Sequence, residues 1–144
     1  MAKTLKIGLA QCRQTGEFAT NAGTVRRCLD EARHAAVQIH CFPESQAVGY
    51  RLDISTPTRP VPVGELEDLH AEVARFCGRE GMACVPGTET PLAADPHRGK
   101  PYNSALVISE TGAILGTHHK TKLTPSTRWP TRREGRSRRS TRSA

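Results

Sequence analysis

Two segments of helical period lie between short apolar runs, and that alternation restricts what this chain can fold into more than any other feature. Leu5, Ile7 and Leu9 alternate with Lys6 and Gly8, which predicts a strand over about 4–11. Asn21 reads as the cap of a helix whose apolar stripe is Val25, Cys28, Leu29, Ala32 and Ala36, with Arg26, Arg27, Asp30 and Arg33 on the other face. A second strand is expected over 37–42, stopped by Pro43. Residues 51–64 are rich in proline and read as a loop. A second helix follows, with Leu66, Leu69, Val73, Phe76 and Cys77 as its buried stripe and Gly81 as its stop. A third strand is expected over 82–85, and 105–109 with 113–117 flank Glu110-Thr111-Gly112 as a hairpin. The order β-α-β-α-β-β predicts an α/β fold with a mixed sheet and helices on one face at least.

Composition narrows the class. The chain has 144 residues, 36% of them hydrophobic, as in one ordinary globular domain. Its apolar runs are strand-sized, and the first leads in without the apolar core of a signal peptide, so a cytoplasmic location and no membrane partner are the default expectation. Five scattered cysteines, an odd number without metal-type spacing, are expected to be reduced thiols. The charge is uneven. Seven of the 21 basic residues and one of the 14 acidic ones fall in 128–144, so that stretch carries +6 of the net +7 and residues 1–127 are close to neutral. Beyond residue 127 periodicity disappears, and a Ser/Thr/Arg segment of this kind cannot bury enough surface to fold alone.

Two side chains stand out for their chemistry. Glu44 follows Cys41-Phe42-Pro43 at the end of the second strand, and Lys120 follows His118-His119 at the end of the last. An acid and a lysine at two strand ends suit general base catalysis and oxyanion stabilisation. Each taken alone also reads as a solvated surface charge, the commoner fate of such residues. Acyl transfer would further need a nucleophile. Cys41 sits in an apolar strand without a cationic helper and reads as core packing, and Cys12 has the same reading. His118 and His119, adjacent on a strand, point to opposite faces and have no third ligand at a recognisable spacing, so no metal site is expected. The chain has no phosphate-cradling glycine loop and no Gly-x-Ser-x-Gly elbow.

Taken in order, Lys6-Ile7-Gly8-Leu9-Ala10-Gln11, Asn21, Phe42-Pro43-Glu44 with Gly49-Tyr50, Gly87-Thr88-Glu89, Tyr102-Asn103-Ser104-Ala105, Gly112, Lys120 and Leu123 resemble the N-terminal half of the nitrilase superfamily of carbon-nitrogen hydrolases. The resemblance implies an α-β-β-α sandwich of the nitrilase type, truncated here, with a mixed sheet and helices on its outer face. It implies an oligomeric full-length enzyme that hydrolyses a small-molecule amide, carbamoyl group or nitrile through a cysteine thioester, with no metal or organic cofactor. Glu44 would be the general base and Lys120 the oxyanion-stabilising cation. The family usually has Tyr-Arg before the lysine and His two positions after it, where this chain has His118-His119 and Lys122. The family's cysteine follows its lysine, and no cysteine follows Lys120 here. The chain as given is therefore expected to be inactive.

The expected organisation is an N-terminal part of a carbon-nitrogen hydrolase domain over 1–125 and a disordered Arg/Ser-rich tail over 126–144. Such a tail is what a GC-rich gene yields when read out of frame. Thr127-Arg128-Trp129-Pro130-Thr131 can be encoded so that the shifted frame reads Asp-Ala-Val-Ala-Tyr, a plausible continuation of Leu123-Thr124-Pro125. The competing reading is a non-catalytic remnant whose basic tail binds nucleic acid or another polyanion with salt-sensitive affinity. Nucleic acid is not the favoured partner.

Overall fold

The computed structural model describes residues 4–49, 63–90 and 102–122. The expected tail, most of the expected proline-rich loop, Tyr50 and Leu123 lie outside them. The elements are β1 (Ile7–Leu9), α1 (Phe18–His34), β2 (Ile39–Cys41), α2 (Val63–Glu80), β3 (Ala83–Val85), β4 (Gly87–Thr90), β5 (Tyr102–Ile108) and β6 (Ile114–His119). The expected loop through 64 ends sooner, because α2 begins at Val63. No helix among the described residues is long and apolar enough to cross a membrane.

β1, β2 and β3 are parallel neighbours, and β5 runs antiparallel to β3, β4 and β6. The sheet is mixed, as the element order predicted. β3 and β4 lie on one line. Cys84 pairs with Ile108 and Gly87 with Ala105, so three steps forward along one side match three steps back along the other. Pro86 interrupts that line without ending it, since its carbonyl still accepts the Leu106 N–H at 3.0 Å and only its own donor is lost. The third strand expected from the sequence ends at 85, and β4 is not anticipated there.

Both helices cover one face of the sheet. Leu29, Ala32, Leu66, Leu69, Val73 and Cys77 close over Cys84, Leu106 and Ile108 to form the core. Burying each large aliphatic side chain contributes about 1.5–3 kcal/mol. Arg26 and Glu72 tie the two helices at their solvent side, with a contact of 2.7 Å. Gly81, at φ +65°, ends α2 where the stripe stops, and the Met82 N–H closes back on the Cys77 carbonyl. Gly112, at φ +81°, makes the expected hairpin turn, and its N–H bonds to the Ser109 carbonyl at 3.0 Å.

Three local expectations are corrected. Asn21 does not open α1. The helix starts a turn earlier after Glu17, and the buried Asn21 amide instead clamps Thr15, accepting its N–H at 2.9 Å and donating to its carbonyl at 2.8 Å. Ala36 is not in the buried stripe, because the chain has already left the helix there with φ +53° and turns toward β2. Phe76 is only half-buried and lies under the Arg79 guanidinium.

Among the described residues no helix covers the opposite sheet face. Side chains alternate along a strand, so Ile7 and Leu9, Ile39 and Cys41, Ala83 and Val85, and Ala105 and Val107 share it. Leu9 is 77% exposed. Cys41, expected in the core, is half-buried on this apolar face, because β2 spends its one inward position on His40.

Candidate active site

Pro43 ends β2 and hands the chain to a tight turn in which Ser45 adopts φ +55° and the N–H groups of Gln46 and Gly49 bond back to Pro43 and Ser45. The turn lies across β4, with the Ala47 N–H reaching the Gly87 carbonyl at 3.4 Å. Only glycine permits this approach, since a Cβ on Gly87 would collide with the Pro43 carbonyl oxygen. Glu44 is thereby held over the sheet, and its backbone carbonyl also accepts a hydrogen bond from Gln14 at 2.7 Å.

The other members come from a row across three strands. Glu89 of β4 pairs with Asn103 of β5, and the Lys120 N–H bonds to the Asn103 carbonyl at 2.9 Å just past β6. Paired positions project to the same side, which here is the face opposite α1 and α2. Glu44 meets this row from above. Lys120 Nζ donates to Glu44 Oε1 at 2.7 Å, and Asn103 Nδ2 donates to the same oxygen.

The two residues singled out from the sequence, 76 positions apart, are thus in direct contact. Their side chains are 31% and 40% exposed, so the pair is screened and contributes at most about 1 kcal/mol to stability. Burial acts to raise the Glu44 carboxyl, but the hydrogen bonds from Lys120 and Asn103 and the ammonium charge outweigh it. Its pKa is held below the ordinary value.

The two histidines before the lysine separate as alternation requires. His119 turns to the helix side, stacks on Tyr102 at 4.4 Å and hydrogen-bonds Ser104 at 2.9 Å, whereas His118 pairs with Ala105 on the other face. Among the described residues no group of three or more His, Cys, Asp or Glu could hold a metal ion. Cys12 is half-buried, with its thiol donating to Gln46 Oε1 at 3.2 Å.

Asn103, Glu89 and Gln14 had no assigned role in the sequence reading. The available signal for the first two was a polar residue at the outward positions of strands whose alternate positions are buried.

A family model for carbon-nitrogen hydrolases matches residues 6–141, a range that runs on into the arginine-rich segment. The chain belongs to the carbon-nitrogen hydrolase family. No curated protein matches its sequence. Among solved carbon-nitrogen hydrolases it is similar to a mutant of the amidase from Nesterenkonia sp. AN1 in complex with butyramide, at 17% identity and TM-score 0.66 over 86% of this chain and 46% of that one. A second mutant of that amidase, showing covalent addition of the acetamide moiety of fluoroacetamide at its active site cysteine, is 16% identical with TM-score 0.66 over 86% and 45%. A carbon-nitrogen hydrolase from Helicobacter pylori G27 is 16% identical with TM-score 0.64 over 83% and 40%. The chain spans less than half the length of these relatives, and at such identities the likeness is one of fold. That fold is the α/β, nitrilase-type architecture expected, with one sheet and the helices on its outer face.

Proposed function

We propose that this chain carries the base and the oxyanion-binding cation of a site that hydrolyses small-molecule amides, with carbamoyl compounds and nitriles as related substrates. The observation that supports it is the Lys120–Glu44 contact at 2.7 Å, made by residues from separate strand ends on the open sheet face. Glu44 takes the proton from a thiol, passes it to the departing amide nitrogen and then takes one from water, while the Lys120 ammonium faces the charge that develops on the substrate oxygen. The thioester route that the resemblance implies needs a thiol beside this pair, and none of the five cysteines follows Lys120, where the resemblance places the nucleophile. On this reading no turnover is expected of this chain by itself, and the reaction is assigned to a longer, oligomeric product whose frame shifts near residue 127.

Ammonia release from butyramide tests this on two proteins, the 144-residue chain and the product translated in the shifted frame. The expected result is turnover by the second only, reduced at least ~100-fold by Glu44→Gln or Lys120→Met. Turnover by the short chain that survives both substitutions would overturn the assignment. So would steeply salt-dependent binding of a polyanion by a chain whose shifted frame meets an early stop codon, which is the behaviour of a basic-tailed remnant.

A further inference from the structure

We propose that Asn103 is a positioning residue of the site, pinning Oε1 of Glu44 together with Lys120 and so committing Oε2 to proton transfer; this rests on the reading of Glu44 as the base. Three observations carry it. Asn103 Nδ2 and Lys120 Nζ converge on one carboxylate oxygen, and Oε2 accepts from none of the described residues. The Asn103 backbone is fixed independently, between Glu89 on one side and the Lys120 N–H on the other, so its side chain is free of any duty to the strand. Asn103 lies half-buried at an outward position flanked by the buried inward Ser104, so its amide is directed to the face on which Glu44 sits.

Chemistry explains why a lysine alone would not suffice. Lys120 is a point charge on a flexible four-carbon stem and can follow either oxygen of a rotating carboxylate. The terminal torsion of a glutamate is broad and nearly two-fold, so nothing in the ion pair distinguishes Oε1 from Oε2. An amide on a rigid strand does distinguish them. It also cannot titrate, and a carboxylate offers only acceptors, so Asn103 must present its N–H₂ group. When a proton arrives on Oε2, Oε1 becomes a carbonyl oxygen that still accepts from both donors. The proton can come and go without rearrangement.

The test reads the Glu44 carboxyl by carbon-13 NMR titration in the intact chain. Charged and titratable groups around it are Lys120 on the same oxygen and Glu89 in the same row. Asn103→Leu and the near-isosteric Asn103→Asp should both shift the Glu44 midpoint upward, the aspartate more, with far-UV spectra unchanged. In the unsubstituted chain the Asn103 side-chain N–H₂ resonances should titrate with the Glu44 midpoint, which requires no variant to fold. If Lys120→Met moves the midpoint but the Asn103 resonances ignore it and both Asn103 variants titrate as the parent does, Asn103 is not a positioning residue and the ion pair still stands. If Lys120→Met leaves the midpoint in place as well, the pairing behind the proposed function fails with it.

Discussion

Replacing Gly87 by alanine tests whether the fold of the β3–β4 line and the geometry of the site are one problem. Beyond its collision with the Pro43 oxygen, the added Cβ would sit 2.8 Å from the Pro43 carbonyl carbon and 2.9 Å from the Glu44 Cα. Carbon atoms in contact prefer about 3.5–4.0 Å, so the turn must rise by roughly 0.6 Å or more. Every atom in the way is backbone, and no rotamer change relieves it. Overpacking of this kind costs about 1–3 kcal/mol, which for a chain of this size lowers Tm by roughly 3–10 °C. The same displacement acts on Glu44. Its contact with Lys120 at 2.7 Å has only about 0.5 Å of slack before it leaves the ordinary hydrogen-bond range. Thermal unfolding by circular dichroism and carbon-13 titration of Glu44 should therefore change together, with a lower Tm and a Glu44 midpoint that rises toward the ordinary 4.5. A Gly87→Ala chain that unfolds at the parent temperature would refute the packing argument. One that loses stability while Glu44 titrates unchanged would refute the coupling between turn and site.

Other perturbations probe the core and the open face. His40 is buried with neither ring nitrogen partnered, and burial, opposed only by Glu31, holds its pKa below the ordinary 6.5. The unfolded chain then takes up the proton first, so stability present above about pH 6.5 is lost as pH falls. His40→Leu should flatten the pH dependence of urea midpoints between pH 7 and 5, although His70, also lowered by burial, keeps part of the slope. An unchanged slope would mean that His40 is not held neutral. Leu66→Ala, at a position 2% exposed, should cost about 2–5 kcal/mol in the same urea titration, and a loss under 1 kcal/mol would show that the helix layer is not the core described. Leu9→Lys should reduce concentration-dependent light scattering by the chain, because Ile7 and Leu9 lie on an uncovered apolar face. Equal scattering by both proteins would place self-association elsewhere.

Much of this architecture was legible because period and punctuation agreed. The stripe of Leu66, Leu69, Val73 and Cys77 had a glycine at its end, and that glycine took the positive φ the stop required. The hairpin at Gly112 was read for the same reason. Errors arose where one residue served a purpose other than its commonest one. Asn21 has the side chain of a helix cap but is used to clamp a loop, a tertiary choice that no local pattern reveals. Pro86 is a strand breaker in most settings, yet at this position the ladder needed only its carbonyl. The contact between Glu44 and Lys120 could not come from periodicity at all, because the order of strands in a sheet is not written in the strands. It was reachable only through the family resemblance. Asn103 was visible in that resemblance without a role, since a role required knowing which strand lies beside it.

The position of the site on the uncovered face bears on its electrostatics as well as its shape. The largest single influence on Glu44 is burial, which acts to raise its pKa, and it is outweighed only by three contributions from two neighbours. A general base works best with a pKa near the working pH, so a carboxylate held below its ordinary value in a half-exposed pair is a weak one. Covering the face with a second layer would change the balance without moving any residue named here. Desolvation of Glu44 would increase, and the attraction of the Lys120 ammonium for an oxyanion would strengthen as the local dielectric falls. The same layer would bury Ile7, Leu9, Ile39 and Val85, which share that face. In this arrangement the exposed apolar surface and the ion pair share one face, so a layer that covers the first also desolvates the second.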